Sequence, residues 1–206
     1  VEEALAQRGL GRHVTSVTPV GGGCINNGAR IVTDSGGVFF LKWNRSAPAG
    51  MFAAEADGLE ALARASSLRV PAPVAWDSRS GGDSWLLLEH VGSGPSGAAA
   101  LSALGAGLAA MHSGEVGATF GWERDNWIGS LDQPNDPSES WGDFWRDRRI
   151  EPQLSLARSR GLARDAAFDA LLERIPGALD DLGTPELLHG DLWGGNWFAD
   201  ERGRPV

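Results

Sequence analysis

Val14 to Val20 sets valines among Thr and Ser, Gly28 to Thr33 sets Ala29 and Ile31 around Arg30, and a third, mostly apolar run spans Val38 to Trp43. Short runs rich in Val, Ile, Thr and aromatics and bounded by glycine are strand signals, so these three segments read as strands. Gly21-Gly22-Gly23 joins the first to the second, and Asp34-Ser35-Gly36-Gly37 supplies the turn into the third. An antiparallel meander with a glycine loop after its first strand is the expectation. From Met51 to Arg64 the period changes, because Phe52, Leu59 and Leu62 recur at helical spacing. Val70-Pro71-Ala72-Pro73-Val74 breaks that helix, and Trp85-Leu86-Leu87-Leu88 reads as a buried strand. Ser93 to Gly97 is rich in Gly, Ser and Pro and marks the expected boundary between two lobes.

Helical patterns dominate downstream. Leu101, Leu104, Leu108 and Met111 define one amphipathic face that stops near Gly114. Ser140-Trp141-Gly142-Asp143 has the form of a capping box, opening a second helix to about Arg160, and a third runs from Asp165 to Leu179. Leu187-Leu188-His189 reads as a short strand entering a loop. The chain ends at Pro205-Val206, just after the turn-like Asp200-Glu201-Arg202-Gly203, so the partner strand expected there is missing and both ends read as cut or processed.

Composition narrows the function classes. Eighteen basic against 27 acidic residues give a net charge of −9, which disfavours a nucleic-acid or anionic-membrane surface, since both need dense positive charge. A bound phosphate must then meet a small, specific site. Cys24 is the sole cysteine, which excludes an internal disulfide framework and a four-cysteine zinc site and makes a reducing, cytoplasmic setting the expectation. The acidic start lacks the basic region of an export signal, and no apolar run approaches the ~18 residues of a membrane span. Lys42 is the only lysine among 18 basic residues, and it survives inside an apolar run.

The strongest local signal is His189-Gly190-Asp191-Leu192-Trp193-Gly194-Gly195-Asn196. It matches H-x-D-x-x-x-x-N, where the carboxylate orients and deprotonates an attacking hydroxyl and the amide oxygen five residues later binds magnesium. Read alone, the segment also fits an Asp capping a turn in a glycine-rich loop. Lys42 has the strand context of a lysine that contacts nucleotide phosphates, with a solvent-facing strand lysine as the alternative. Glu55 changes that balance. It lies three residues after Phe52 and four before Leu59, on the apolar face of the helix, where a carboxylate is costly to bury unless a cation meets it. Lys42 is the natural partner. Gly21 to Asn27 could lay backbone N–H groups over phosphates, although it is neither a Walker motif nor the G-x-G-x-x-G loop, and a plain hairpin fits it as well. Glu89-His90-Val91 follows the buried strand, where a kinase hinge would meet adenine. His90 and His112 have no metal-ligand spacing and read as structural or surface histidines. Most tryptophans read as core, whereas Trp193, two residues past the candidate base, is placed to stack on a sugar face.

The order glycine loop, Lys42, Glu55, hinge, Asp191 and Asn196 resembles the protein-kinase-like fold. More closely, Gly22-Gly23-Cys24-Ile25-Asn26, Met51 to Leu59, Asp125-Asn126-Trp127-Ile128-Gly129 with Gln133-Pro134-Asn135, Arg148 to Leu154 and the segment from His189 to Asn196 resemble the fructosamine kinase, or ketosamine-3-kinase, family. The resemblance implies an α+β, two-lobed fold. Residues 1–91 would form an antiparallel-sheet nucleotide-binding lobe with its hinge at 89–91, and 92–206 an incomplete helical lobe with the catalytic loop at 189–196. It implies ATP-dependent phosphorylation of the 3-hydroxyl of a ketosamine, free or protein-bound, in the service of deglycation. Asp191 would accept the proton and Asn196 would bind Mg2+. Lys42, held by Glu55, would contact phosphate; Gly22, Gly23, Cys24, Ile25 and Asn26 would cover the phosphates, and Glu89, His90 and Val91 would contact adenine. Cys24 matches a glycine-loop cysteine associated in the family with redox-sensitive homodimers.

Family members continue into an Asp-Pro-Ala type segment whose aspartate chelates the metal, and this chain stops before it. The expectation is a weak or inactive chain, with Asp200 the nearest carboxylate to stand in. Aminoglycoside and choline kinases share the His-Gly-Asp and Asn arrangement, and a noncatalytic nucleotide-binding module is the alternative outside enzymes.

Overall fold

A computed structural model describes residues 1–21, 25–78, 83–114, 117–179 and 183–206. Its backbone divides into two compact units, residues 1–114 with 187–206, and residues 115–186. Among the described residues, five strands of the first unit form one antiparallel sheet: β1 (Val14–Val20), β2 (Asn27–Thr33), β3 (Val38–Asn44), β4 (Pro73–Asp77) and β5 (Ser84–Glu89), in the order β1-β2-β3-β5-β4. The meander expected from the sequence is present, and β2 and β3 each extend one residue beyond the expected bounds. Ala29, Ile31, Phe39, Ala75 and Leu87 make the buried face, with Leu41, Trp43 and Trp85 packed against them. Leu5, fully buried, caps this core from a short helix, α1 (Glu2–Gln7), that the polar N-terminal sequence does not announce.

β4 overturns the expectation that Val70–Val74 is only a breaker. Pro73 opens an edge strand, where a missing N–H costs no ladder bond. Helix α2 (Met51–Ala65) has the bounds its periodicity predicts, within a residue. Its N-terminus lacks a capping side chain of its own: Gly50 is left-handed at φ +88°, and the Ser78 hydroxyl accepts from the Phe52 and Ala53 N–H groups, each at 3.1 Å. Helix α3 (Ala98–Met111) follows. No helix of the described residues is long and apolar enough to cross a membrane.

The second unit holds a small hairpin, β6 (Asn126–Ile128) with β7 (Leu131–Gln133), and then helices. The helix expected from Ser140 to Arg160 is present but not uniform. It runs as α4 (Trp141–Trp145), a π-helical turn over Arg146–Ile150, and α5 (Glu151–Ser159). Pro152 explains the wider turn, because it has no N–H to give and its ring crowds the carbonyl one turn back. The Ser140 hydroxyl accepts from the Asp143 N–H at 3.1 Å, as the capping box requires. Helix α6 (Ala167–Leu179) completes the series.

One expectation for the C-terminal segment is corrected. Residues 187–189 form no strand, and Leu188 stays half exposed because no neighbouring strand covers it among the described residues. After the Asp200–Gly203 turn the last residues fold back as a short hairpin held by an isolated bridge and not by a full strand: Phe198 and Val206 exchange backbone bonds at 3.1 and 2.8 Å, and Asp200 N–H reaches Arg204 carbonyl at 2.8 Å. This hairpin belongs to the first unit, together with α3, so the packing partitions the chain differently from a division at residues 91 and 92. Gly94 shows why: its N–H donates to Ala199 carbonyl at 2.7 Å, and a Cβ there would overlap the Asp200 carbonyl and the Glu201 Cα. Because that neighbour is backbone, Gly94→Ala is expected to lower stability by about 1–3 kcal/mol, read as a lower urea midpoint at unchanged slope.

Candidate active site

Strand alternation places Lys42 one position out of step with Phe39, Leu41 and Trp43, on the sheet face opposite the α1 core. Its Cα pairs across to Gly28 on one side and Leu86 on the other, so the register of three strands fixes where it emerges. Glu55 of α2 meets it there, and the Lys42 Nζ donates to the Glu55 Oε1. The two side chains are 28% and 27% exposed, enough burial to make either charge unfavourable alone. The pair inferred from a helical face and a strand lysine is therefore formed.

The described part of the glycine loop is tied to the same strand. Asn44 Nδ2 donates to Asn26 Oδ1 at 3.0 Å and to the Ile25 carbonyl at 3.3 Å, leaving the Ile25 side chain 46% exposed. Gly22, Gly23 and Cys24 lie outside the described residues. At the far end of the sheet, Glu89 turns its side chain to Arg69 and to the Ala72 N–H, while His90 and Val91 are half-buried. Burial, and secondarily Arg30, hold the His90 imidazole below its ordinary pKa.

Asp191 and Asn196 come together in the loop before the C-terminal hairpin. Asn196 Nδ2 donates to the Asp191 Oδ2 and to the Asp191 carbonyl, both at 2.8 Å. Both hydrogens of the amide are thus committed to Asp191, which leaves Asn196 Oδ1, an oxygen of the kind magnesium takes, outside the pair. Gly190 allows the tight approach with φ +81°. The Asp191 N–H donates to His189 Nδ1 at 3.3 Å, and burial holds His189 below its ordinary pKa, which favours the neutral ring that this acceptor role needs. Trp193 lies over Gly195, where a Cβ would overlap its ring, and is 54% exposed. Among the described residues, no group of three or more His, Cys, Asp or Glu could hold a metal by itself. The donor set fits a metal that also rests on phosphate oxygens.

The family model of fructosamine kinase matches residues 2–206. The chain belongs to the fructosamine kinase family. It is 42% identical over 189 residues to a protein assigned as a ketoamine kinase in Synechocystis sp., covering 91% of this chain and 63% of that one. It is 37% identical over 212 residues to the chloroplastic protein-ribulosamine 3-kinase of Arabidopsis thaliana, covering 100% and 64%. The chain thus spans less than two thirds of the length of these relatives. The solved structure of a protein assigned as a fructosamine-3-kinase from Haemophilus somnus 129PT superposes with TM-score 0.85 at 27% identity, over 98% of this chain and 68% of that one. The fold is shared more widely: aminoglycoside phosphotransferase APH(4)-Ia, solved with ADP and hygromycin B, superposes at TM-score 0.64 and 16% identity over 100% and 68%. The α+β, protein-kinase-like fold expected from the sequence is confirmed.

Within this member of the family, three further motifs converge in the second unit. Asn135, 2% exposed, donates its N–H to Asp125 Oδ1 at 2.8 Å and its amide to the Arg124 carbonyl and Asn126 Oδ1, each at 3.0 Å. Arg149, from the π-helical turn, reaches the Pro134 carbonyl at 2.7 Å and Asn135 Oδ1 at 2.6 Å while lying 4.5 Å over the Phe144 ring. The Asp-Asn-Trp-Ile-Gly, Gln-Pro-Asn and Arg-Arg segments are one polar network around the buried Asn135.

Asp200 does not stand in for a metal-binding carboxylate. It is 3% exposed, and its two oxygens are committed: Oδ1 accepts from the Arg202 and Arg204 N–H groups at 2.9 Å, and Oδ2 from Arg204 Nη2 at 2.7 Å and Nε at 2.9 Å. Arg69, which sequence reasoning missed, adds a longer contact at 3.4 Å. The Arg204 side chain, its N–H and that of Arg202 hold the Asp200 carboxyl far below the usual carboxylate range. A depressed folded-state pKa contributes stability that is present above about pH 4 and is lost as pH falls through the folded value. Acid titration is accordingly expected to lower the melting temperature below about pH 4, with a shallower decline in Asp200→Asn; equal slopes in the two proteins would contradict the assignment.

Proposed function

We propose that this chain carries the nucleotide and acceptor residues of an ATP-dependent ketosamine kinase that phosphorylates a sugar hydroxyl. The observation that carries the reading is the presence, in one compact unit and in the family's order, of the Lys42–Glu55 pair and the Asp191–Asn196 pair. Phosphoryl transfer asks little covalent chemistry of a protein, so positioning and charge neutralisation are the residues' tasks.

Asp191, exposed and oriented by Asn196, accepts the proton of the attacking hydroxyl. Lys42, fixed by Glu55, neutralises phosphate charge, and we assign the glycine-rich segment with Gly22, Gly23, Cys24, Ile25 and Asn26 to phosphate binding. Asn196 Oδ1 would hold Mg2+, which supplies further neutralisation of the phosphates when bound. The backbone from Glu89 to Val91 meets adenine, since the Glu89 side chain is already turned to Arg69. Trp193 offers an exposed indole face on which a sugar ring stacks. The relative named protein-ribulosamine 3-kinase supports a ketosamine acceptor and the 3-hydroxyl; a deglycation role and a cytoplasmic setting are part of our proposal. A redox-sensitive homodimer through Cys24 belongs to the same reading.

The test is Mg2+-dependent ADP formation with a ribulosamine, by a protein carrying this chain and extended to the length of its relatives, against aminoglycoside, choline and no-acceptor controls. Turnover with the ribulosamine is expected to exceed the controls, and Asp191→Asn is expected to lower kcat by about 10²–10⁴-fold with the ATP KM changed only a few-fold. Absence of ribulosamine-dependent ADP formation by a protein of the relatives' full length, or undiminished kcat in its Asp191→Asn variant, would contradict the proposal.

A further inference from the structure

Arg69 sits between α2 and β4, outside every motif that the sequence offered, yet it joins two segments far apart in the chain. Its Nη2 bonds Glu89 Oε1 at the end of β5, and its Nη1 reaches Asp200 Oδ2 at 3.4 Å in the C-terminal hairpin. Glu89 is anchored on its own side as well: Oε2 accepts from the Ala72 N–H at 3.4 Å, and the Glu89 N–H donates to the Ala72 carbonyl at 2.8 Å. Asp200 is anchored on the other side by Arg204 and the turn. One planar guanidinium with forked donors can span two carboxylates in this way, where a lysine ammonium could not hold both in a fixed plane.

The chain immediately after the hinge is clamped to the same hairpin. Ser93 bridges Asp200, Gly94 N–H bonds the Ala199 carbonyl at 2.7 Å, and a Cβ at Gly92 or Gly94 would overlap Glu201 or Asp200. These close approaches use backbone and glycine, whereas Arg69 is the side chain that meets both partners. The hairpin begins two residues past Asn196, so holding it against β5 also holds the acceptor loop relative to the nucleotide-binding sheet.

We propose that Arg69 is a positioning residue, a brace that locks the exit of β5 through Glu89 to the hairpin through Asp200 and so keeps the hinge and the Asp191–Asn196 loop in one fixed arrangement. The catalytic consequence rests on the kinase reading above, whereas the brace itself does not. Without Arg69 the Glu89 carboxylate loses its cation, the joint at Gly94 opens more often, and nucleotide binding must restore an order that was built in.

Arg69→Met, which keeps length and removes charge, tests this with two readouts on the full chain. Hydrogen exchange of the Gly94 amide is expected to quicken at least tenfold, with the amides of β2 and the hairpin-internal Asp200 amide changed less than threefold. Unchanged exchange at Gly94, or uniform acceleration everywhere, would overturn the brace. In ribulosamine-dependent ADP formation, the KM for ATP is expected to rise about tenfold with kcat within threefold; a smaller folded fraction would lower apparent kcat without moving KM, so an unmoved KM would overturn the positioning role. If Arg69→Met does not fold, Glu89→Gln opens one arm of the joint and must quicken Gly94 exchange at least threefold, and no change there would overturn the proposal. Lack of turnover by the unmodified chain agrees with the expectation of a weak or inactive chain, and Gly94 exchange then decides the brace.

Discussion

The contact between Lys42 and Glu55 is the constraint on which the nucleotide side of the molecule depends. An ammonium and a carboxylate, each about three-quarters removed from water, are tolerated because they meet. Their meeting requires β3 to pair with both β2 and β5 in one register, since a slip of one residue would turn Lys42 to the α1 side of the sheet. It also requires α2 to lie with Glu55 facing that strand. The helix is set in place by its buried residues Phe52 and Ala56 and by the Ser78 hydroxyl that receives its first free N–H groups. A single lysine in a chain otherwise using arginine fits this role, because a compact ammonium on a flexible stem can serve a carboxylate and a phosphate in turn.

A second constraint operates at the other end of the sheet. Asp200 is buried, ionised and saturated with donors from its own turn, so the hairpin it organises is rigid, and that rigidity is passed to the segment after β5 through Ser93 and Gly94. The acceptor loop runs directly into this hairpin. Its own Asp191 and Asn196 remain exposed, which is what residues that must meet substrate require.

Elements with a clear period were legible from the residues alone: β1, β2, β3, α2 and α3 fall within a few residues of the expected bounds. The Lys42–Glu55 pair was legible too, because burying a carboxylate on an apolar helix face demands a cation, and only one stood in an adjacent buried run. What escaped depended on contacts distant in sequence. β4 was masked by prolines that only an edge position tolerates, and α1 carries a single fully buried residue, Leu5. Asp200 looked like an available carboxylate because its five donors come from backbone turn geometry and from two arginine side chains, one of them 131 residues away. Arg69 carried no pattern at all. The three motifs joined through Asn135 were visible as segments, but nothing in their spacing indicated that they share one polar core.

The pairing of Lys42 with Glu55 is tested most directly by a double-mutant cycle on ADP affinity, measured calorimetrically with Lys42→Met, Glu55→Gln and the combination. If Glu55 acts by holding Lys42 against phosphate, each single variant weakens binding at least tenfold and the double variant is no weaker than Lys42→Met alone. Losses that simply multiply, or undiminished affinity in Lys42→Met, would contradict that arrangement.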